Sequence, residues 1–230
     1  MDDSQPQGEA SRSWLKRGHQ LFTQPCTFMR AVSEYEQLTR EDVPEIAFAG
    51  RSNVGKSSLV NAVVNRKALA RVSNTPGRTK EIILFDLAGE LTIADLPGYG
   101  FAKVSKAVSA QWHRLIDAYL RKRSQLKRVC LLIDSRHPPH DTDRQMMKLL
   151  DGAAVSYVIV LTKIDKLNAS ERERAINDAT ALREQHTAIH PELFATSAET
   201  GEGLPELRAH LARLAKPAEK GYKPANRGKR

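Results

Sequence analysis

Residues 50–57 read GRSNVGKS, which fits the phosphate-binding pattern GxxxxGK(S/T). An apolar run from Ile46 to Ala49 precedes this segment and a helical pattern from Ser58 to Val64 follows it, so it joins a strand to a helix. The two glycines let backbone N–H groups turn onto phosphate oxygens, and the helix N-terminus behind them favours negative charge. The segment therefore predicts a nucleoside triphosphate site whose ligands are Gly50, Arg51, Ser52, Asn53, Val54, Gly55, Lys56 and Ser57.

Two side chains in this loop carry the chemistry. Lys56 supplies a mobile positive charge for the phosphates, and the Ser57 hydroxyl can reach a bound Mg²⁺. The cofactors expected from the loop are thus a nucleoside triphosphate and Mg²⁺.

Strand-like and helical patterns alternate along most of the chain. Several strand-like runs are apolar throughout, as in strands that are covered on both faces. The predicted strands are Glu45–Ala49, Glu81–Leu87, Leu91–Asp95, Arg128–Asp134, Val155–Thr162 and Glu192–Thr196. The predicted helices are Ser57–Asn65, Ala107–Arg123, Thr142–Leu150, Glu171–Gln185 and Pro205–Ala215. Ser170 and Glu173 fit a capping box at the start of the fourth helix.

The second and third strands depart from the alternation. Only Ala88-Gly89-Glu90 separates them, and so short a connection requires an antiparallel hairpin. The sequence therefore predicts an α/β fold of the P-loop NTPase class. Its sheet is expected to be mainly parallel and six-stranded, with one antiparallel edge strand and helices on both faces.

Length and composition indicate one folded domain with flexible ends. The chain has 230 residues, 40% of them hydrophobic and 27% charged, which is ordinary for a soluble globular protein. We expect a flexible N-terminal segment over residues 1–22, a folded domain over 23–216 and a basic flexible tail over 217–230. The longest apolar runs are too short to span a bilayer, and the N-terminus does not resemble a signal peptide, so a cytoplasmic protein without membrane contact is expected. Cys26 and Cys130 lie far apart and suggest no disulfide framework.

The positive charge is concentrated near the C-terminus. From Lys216 to Arg230 there are six basic residues against Glu219, which is more than half of the net charge of +9. A second basic cluster comprises 121–123 with Lys127 and Arg128. A polyanionic partner is the functional interpretation, and nucleic acid is favoured over a membrane because the tail has no apolar face. The alternative is a solubilising tail together with cations that suit a helix C-terminus.

A second motif follows the hairpin. The strand Leu91–Asp95 leads into Leu96-Pro97-Gly98, a DxxG pattern. A carboxylate at the end of a strand can hold a Mg²⁺-bound water, and Gly98 can offer its N–H to the terminal phosphate. We therefore count Asp95, Leu96, Pro97 and Gly98 among the nucleotide site.

A third motif selects the base. An apolar strand ends in Thr162-Lys163-Ile164-Asp165, and an aspartate at this place can accept both N1–H and the exocyclic amine of guanine. Because a buried carboxylate without its partner is costly, one such residue can discriminate strongly against adenine. The last strand leads into Thr196-Ser197-Ala198, whose backbone can contact the guanine carbonyl.

With these motifs in order, the chain resembles the translation-factor-related GTPases of the TrmE–Era–EngA–YihA–septin-like group, and within them the EngB (YihA/YsxC) family. The resemblance rests on GRSNVGKSSLVN (50–61), NTPGRTK (74–80), DLPGYGFAKV (95–104) and TKIDK (162–166), and it covers residues 23–215. It implies a GTP-binding protein of bacterial large-subunit (50S) ribosome assembly that binds GTP or GDP with Mg²⁺. It also implies an association with normal cell division and septation.

The resemblance further assigns roles to a switch loop. Thr79 matches the threonine that joins Ser57 on Mg²⁺ and closes over the γ-phosphate, so the implied metal residues are Ser57, Thr79 and Asp95. The other residues implied to line this loop are Pro76, Gly77, Arg78, Lys80 and Glu81. Thr162 stands where many GTPases have asparagine, which leaves Asp165 as the principal guanine contact.

The expected hydrolysis is slow. In many GTPases a glutamine directly after DxxG orients the attacking water, and here that position is Tyr99. The implied catalytic residues are Lys56, Thr79 and Asn53, and Asn53 raises the hypothesis of stimulation by K⁺. The alternative for Asn53 is a residue that tolerates a tight turn. Tyr99 and Phe101 are expected on an exposed loop, where they either pack the loop or touch a partner.

Two functions remain open. In the first, a monomeric switch GTPase docks in its GTP form on the large ribosomal subunit or its precursor, with the basic tail on rRNA, and leaves after hydrolysis. In the second, a nucleotide-gated module binds RNA or the division machinery, and its hydrolysis is incidental. Asp165 disfavours an ATP-dependent phosphotransferase.

Overall fold

The computed structural model describes residues 5–39, 42–66, 69, 81–100 and 106–217. Six α-helices and seven β-strands occur in this part of the chain, in the order α1 (Gln5–Phe22), β1 (Cys26–Val32), β2 (Glu45–Gly50), α2 (Lys56–Val63), β3 (Ile82–Leu87), β4 (Leu91–Asp95), α3 (Lys106–Lys122), β5 (Leu126–Asp134), α4 (Asp141–Gly152), β6 (Tyr157–Thr162), α5 (Ala169–Ala181), β7 (Ile189–Ala195) and α6 (Leu204–Ala212).

The strands form one sheet in the order β1-β3-β4-β2-β5-β6-β7. Strands β4, β2, β5, β6 and β7 are parallel, whereas β3 runs antiparallel to both of its neighbours. The predicted α/β P-loop architecture is confirmed, but the described sheet has seven strands rather than six. The additional strand β1 pairs with β3, so β3 lies one strand in from the edge.

Three helices cover each face of the sheet. Alternate residues of the central strands point to opposite faces, as strand geometry requires. Ile46 and Phe48 of β2 pack with α1, α2 and α6, whereas Ala47 and Ala49 pack with α3, α4 and α5. All four residues are at most 1% exposed, which explains why β2 is apolar throughout.

The N-terminal segment differs from the prediction. Residues 5–22 form helix α1, which packs on α6, whereas residues 1–22 were expected to be flexible. Leu21 and Phe22 at its end are fully buried in the core. Arg17 pairs with Glu90 in the β3–β4 turn, and the Lys216 N–H donates to the Glu90 carbonyl at 2.9 Å. The helix is therefore part of the folded body, because its apolar end covers the core.

Two local predictions have different outcomes. The β3–β4 hairpin is confirmed, with Leu87 paired to Leu91 across the turn. The predicted capping box of Ser170 and Glu173 is wrong, because α5 begins two residues earlier than that pattern requires. Asn168 caps α5 instead: its side chain accepts from the Glu171 N–H at 3.0 Å and Glu171 accepts from the Asn168 N–H at 2.9 Å.

No helix in the described ranges is both long enough and apolar enough to cross a membrane.

Candidate nucleotide-binding site

The parallel strands end together at one edge of the sheet. Their last residues are Gly50 in β2, Asp95 in β4, Asp134 in β5, Thr162 in β6 and Ala195 in β7. Ligands of open α/β sheets bind outside this edge, where the strand-to-helix connections meet. All three predicted motifs follow these strand ends, so the fold brings them together.

The phosphate loop turns sharply between β2 and α2. Gly55 has φ 99° and Asn53 has φ 65°, both in the left-handed region that glycine and asparagine tolerate best. A Cβ at Gly50 would lie 2.8 Å from Cγ1 of Val54, so the loop folds closely over the end of the strand. Lys56 begins α2, which places the free N–H groups of the helix at the loop.

Two charged residues of the first two motifs meet here. The Lys56 ammonium contacts the Asp95 carboxylate, and both side chains are largely buried. A triphosphate with Mg²⁺ would offer each group a matching partner, because the phosphates attract the lysine and the cation attracts the aspartate. The donor set thus fits the expected cofactors, and Ser57 follows as the second residue of α2, half-buried beside Lys56.

The third motif supports the phosphate loop directly. The Thr162 hydroxyl is buried and donates to the Val54 carbonyl at 2.7 Å. The Lys163 ammonium donates to the Asn53 carbonyl at 2.8 Å and to Asp134 at 2.9 Å. Thr162 therefore binds the phosphate loop in the place where other GTPases have asparagine.

Asp134 is a site residue that the motifs did not indicate. Burial acts to raise the pKa of its carboxyl, but hydrogen bonds from Arg136 and Lys163 outweigh it and hold the pKa well below its usual range. The carboxylate is therefore charged at neutral pH and fixes the Lys163 ammonium across the loop. Its position at the end of the predicted strand that corresponds to β5, at the ligand-binding edge of the sheet, is the sequence feature that could have identified it.

Asp165 lies beside the loop that follows β7. A hydrogen bond from Ser197, followed by the neighbouring Lys166 ammonium, lowers the pKa of the Asp165 carboxyl. Thr196 and Ser197 are buried, and the Thr196 carbonyl accepts from the Ile164 N–H at 3.2 Å. The two segments expected to read the base are thus held against each other, with Ala198 half-buried next to them.

The DxxG turn is held by neighbours on three sides. The Leu96 N–H donates to the Phe48 carbonyl at 3.0 Å, and the Trp112 indole of α3 donates to the Pro97 carbonyl at 3.2 Å. A Cβ at Gly98 would lie 2.9 Å from the Ser52 hydroxyl oxygen, so the turn lies directly on the phosphate loop.

The exposure expected for Tyr99 is wrong, whereas the alternative that its side chain packs the loop agrees with the structure. Tyr99 was expected on an exposed loop, but it is 8% exposed. Its hydroxyl donates to Asp143 of α4 at 2.9 Å, and its ring contacts Trp112 edge to face at a centroid distance of 6.2 Å. The aromatic ring fills the space between the turn and two helices, and the hydroxyl is bound away from solvent.

Some predicted residues cannot be placed. The residues outside the described ranges are Pro76, Gly77, Arg78, Thr79, Lys80 and Phe101, together with the tail from residue 218. Glu81, the last residue of the implied switch loop, is described and exposed just before β3.

A separate cluster of potential metal ligands lies at the other end of the sheet. One ligand atom each from His190, Glu192 and His210 falls within 4.8 Å of the others. Arg213 also donates to Glu192 at 3.4 Å, and the charge of Arg128 acts on both Glu192 and His190. These cations already neutralise the carboxylate and oppose a divalent ion, so we interpret the cluster as a polar contact between β7 and α6.

The fold and the three assembled motifs define a P-loop GTPase. The sequence model of a family described as 50S ribosome-binding GTPases matches residues 45–163. A probable GTP-binding protein EngB of Rhodospirillum rubrum is 53% identical over 214 residues, covering 91% of this chain and 92% of its own length. The counterpart in Caulobacter vibrioides is 48% identical over 194 residues, covering 84% and 85%. The chain belongs to the EngB family of GTP-binding proteins.

Solved structures agree on the fold. A crystal structure of a probable GTP-binding protein EngB superposes with a TM-score of 0.58 at 22% identity, covering 74% of this chain and 97% of that one. Era in complex with MgGDPNP and a segment of 16S ribosomal RNA superposes with a TM-score of 0.59 at 21% identity, covering 76% and 58%. As a member of its family, the chain is a GTPase that binds GTP and GDP.

Proposed function

We propose that this GTPase acts as a switch in the assembly of the bacterial large ribosomal subunit, associating with the subunit or its precursor in the GTP form and leaving after hydrolysis. The observation that supports a switch most directly is the contact between Lys56 and Asp95. It joins the phosphate loop to the DxxG strand, so a nucleotide with Mg²⁺ that engages both residues changes the contacts of both elements. The family description of 50S ribosome-binding GTPases supports the partner.

The proposed GTP ligands come from the sheet edge. We assign binding of the phosphates to residues 50–57 and contact with the terminal phosphate to Gly98 of the turn 95–98. We assign binding of the base to Asp165, together with 162–164 and 196–198. Mg²⁺ is assigned to Ser57, Asp95 and Thr79, and it would neutralise phosphate charge. Gly77, Arg78, Thr79, Lys80 and Glu81 are proposed for the switch loop.

Catalysis is assigned to charge stabilisation rather than to a water-orienting side chain. Lys56 would stabilise negative charge on the phosphates, and Thr79 would close the site through its metal contact. Tyr99 has no amide to orient the attacking water, and its hydroxyl already donates to Asp143. We therefore propose a slow intrinsic rate, with Asn53 as the residue through which K⁺ stimulates it.

We propose that the protein is a cytoplasmic monomer without membrane contact. Its basic tail is proposed to bind rRNA. The net charge of +9 and its concentration near the C-terminus support a polyanionic partner. A role in normal cell division and septation is proposed at the level of the family.

Single-turnover hydrolysis of GTP with and without large-subunit particles tests this proposal. We expect acceleration by the particles, because Tyr99 stands where many GTPases have the water-orienting glutamine and a group on the particle can supply that help. Small-subunit particles at the same concentration serve as the control. Binding of large subunits that depends on the nucleotide but leaves hydrolysis unchanged would instead favour a nucleotide-gated binding module and contradict the switch cycle.

A further inference from the structure

Contacts of Tyr99 hold the turn that carries Gly98, both to the phosphate loop and to α4 outside the nucleotide site. Backbone hydrogen bonds connect the turn to the phosphate loop: the Ser52 N–H donates to the Tyr99 carbonyl at 3.1 Å, and the Tyr99 N–H donates to the Gly50 carbonyl at 3.4 Å. The Tyr99 side chain then extends the connection into α4. Residue 99 therefore links the phosphate loop, the DxxG turn and α4.

Both carboxylate oxygens of Asp143 accept hydrogen bonds. One oxygen accepts from the Tyr99 hydroxyl at 2.9 Å, and the other accepts from the His140 N–H at 2.9 Å. Asp143 is only 3% exposed and lies in the first turn of α4, where the helix dipole favours negative charge. The carboxylate thus has a fixed direction, and the tyrosine hydroxyl that it holds is fixed with it.

Burial and nearby donors act on both partners. Burial raises the pKa of the Asp143 carboxyl, and the His140 N–H, the Tyr99 hydroxyl and the Arg51 guanidinium offset this only in part. Burial raises the pKa of the Tyr99 phenol well above its ordinary value, so the hydroxyl keeps its proton and donates. The Arg51 guanidinium of the phosphate loop lies close enough to act on both partners. A hydrogen bond to a buried acceptor is among the stronger ones, and the loss of its donor leaves that acceptor unsatisfied.

We propose that Asp143 is a positioning residue for GTP: by holding the Tyr99 hydroxyl, it sets the place of the Gly98 N–H, which the terminal phosphate of GTP would use and GDP would not. The inference rests on the role proposed for Gly98. It concerns nucleotide preference in the isolated protein, so its test is independent of ribosome binding.

The test compares dissociation constants for a non-hydrolysable GTP analogue and for GDP, by titration calorimetry with Mg²⁺. Tyr99→Phe keeps the ring and removes the hydroxyl. We expect its affinity for the GTP analogue to fall about 5- to 10-fold with affinity for GDP unchanged, as for the loss of one hydrogen bond.

The chain offers a matched control. Tyr119 is also a buried tyrosine, and its hydroxyl donates to the buried carboxylate of Glu45 at 2.6 Å, remote from the strand ends that form the site. Tyr119→Phe removes the same kind of bond. We expect it to lower the Tm and to leave the ratio of the affinities for the GTP analogue and GDP at the wild-type value. If Tyr99→Phe weakened both nucleotides equally, or left their ratio unchanged, the proposal would be overturned.

Substitutions at the other partner give a second, independent measurement. In Asp143→Asn the amide oxygen can accept from the His140 N–H while the amide nitrogen donates to the Tyr99 oxygen, because a phenol also accepts. The quantity compared is the ratio of the affinity for the GTP analogue to the affinity for GDP. We expect Asp143→Asn to keep at least half of the wild-type ratio, and Asp143→Ala to lower the ratio as much as Tyr99→Phe does. An equal loss in both Asp143 variants, or in neither, would contradict a positioning role.

Discussion

At the scale of single residues, Thr162 and Asp165 have different contacts within the motif that is proposed to recognise the base. The Thr162 hydroxyl is fully engaged with the Val54 carbonyl, which connects the motif to the phosphate loop. Asp165 is held by Ser197 and Lys166 and keeps its charge, since these contacts lower its pKa. Base selection is therefore expected to depend on Asp165, whereas Thr162 positions the loop.

Asp165→Asn should move nucleotide preference from GTP to XTP. Guanine would lose two hydrogen bonds to a charged acceptor, which corresponds to a loss of affinity of about 100-fold or more, while xanthine presents the groups that an amide can match. Competition binding with GTP and XTP measures the change. Glu199→Gln, which removes a neighbouring exposed carboxylate that pairs with Lys166, is the control and should leave preference for GTP intact. Unchanged preference in Asp165→Asn would refute guanine recognition by this residue.

Asn53 has two proposed roles that a substitution can separate. Its φ of 65° shows that the turn needs a residue that tolerates left-handed backbone, and glycine meets that need without a side chain. We expect wild-type hydrolysis to be at least several-fold faster in KCl than in NaCl at matched ionic strength. Asn53→Gly should bind GTP normally and lose the difference between the salts. Equal wild-type rates in the two salts would eliminate K⁺ stimulation.

At the scale of elements, the structure of α1 depends on contacts that its own residues do not reveal. The segment is polar, so a flexible end was a reasonable expectation. Among the side chains of α1 that the structure describes, Leu21 and Phe22 at its end enter the core. The close approach of Gly18 to α6 and the pairing of Arg17 with Glu90 are tertiary contacts between residues distant in sequence. The helix is stabilised chiefly by packing, which local pattern does not encode.

Gly18→Ala tests this docking. In an exposed helix the change would stabilise by up to about 1 kcal/mol, but here the new Cβ would lie 2.6 Å from the backbone nitrogen of Ala209. We expect a net loss of about 1–3 kcal/mol in the free energy of unfolding, because overpacking against backbone outweighs helix propensity. Denaturant titration measures it. Gly152→Ala is the control, since its Cβ would have nothing nearer than 3.9 Å. A Gly18→Ala variant as stable as wild type would show that α1 does not pack on α6 as described.

Much of the remaining fold was predictable for a physical reason. Strands β2, β4, β5 and β6 are buried on both faces, so their apolar runs identify them, and the motifs at their ends follow. β1 has the mixed burial of an edge strand, with Phe28 60% exposed, and was missed. The position of Tyr99 was also missed, because its burial depends on Trp112 and Asp143, which lie 13 and 44 residues further along the chain.

At the scale of the whole molecule, the distribution of charge bears on the partner. More than half of the net charge of +9 falls within 216–230, beyond the last helix, whereas the proposed ligands of the nucleotide lie at the strand ends. Binding of nucleotide and binding of a polyanion are thus expected to be separable.

Removal of residues 217–230 should weaken binding to RNA or ribosomes and leave affinity for GTP nearly unchanged. Five basic residues are lost, and each phosphate contact contributes about 0.7–0.9 to the slope of log K against log salt concentration, so the slope should flatten. A variant with Lys220, Lys223, Arg227, Lys229 and Arg230 changed to Gln keeps the length of the tail and should behave like the truncation. An unchanged salt slope in both variants would contradict contact between the tail and RNA.

Co-sedimentation with large ribosomal subunits is the most direct test of the central claim. The protein is loaded either with a non-hydrolysable GTP analogue or with GDP, and the fraction that pellets with the subunits is measured at one fixed salt concentration. The account predicts that the GTP-analogue form pellets with the subunits and that the GDP form remains largely in the supernatant. Equal pelleting of the two forms, or of neither, would contradict a GTP-gated switch on the large subunit.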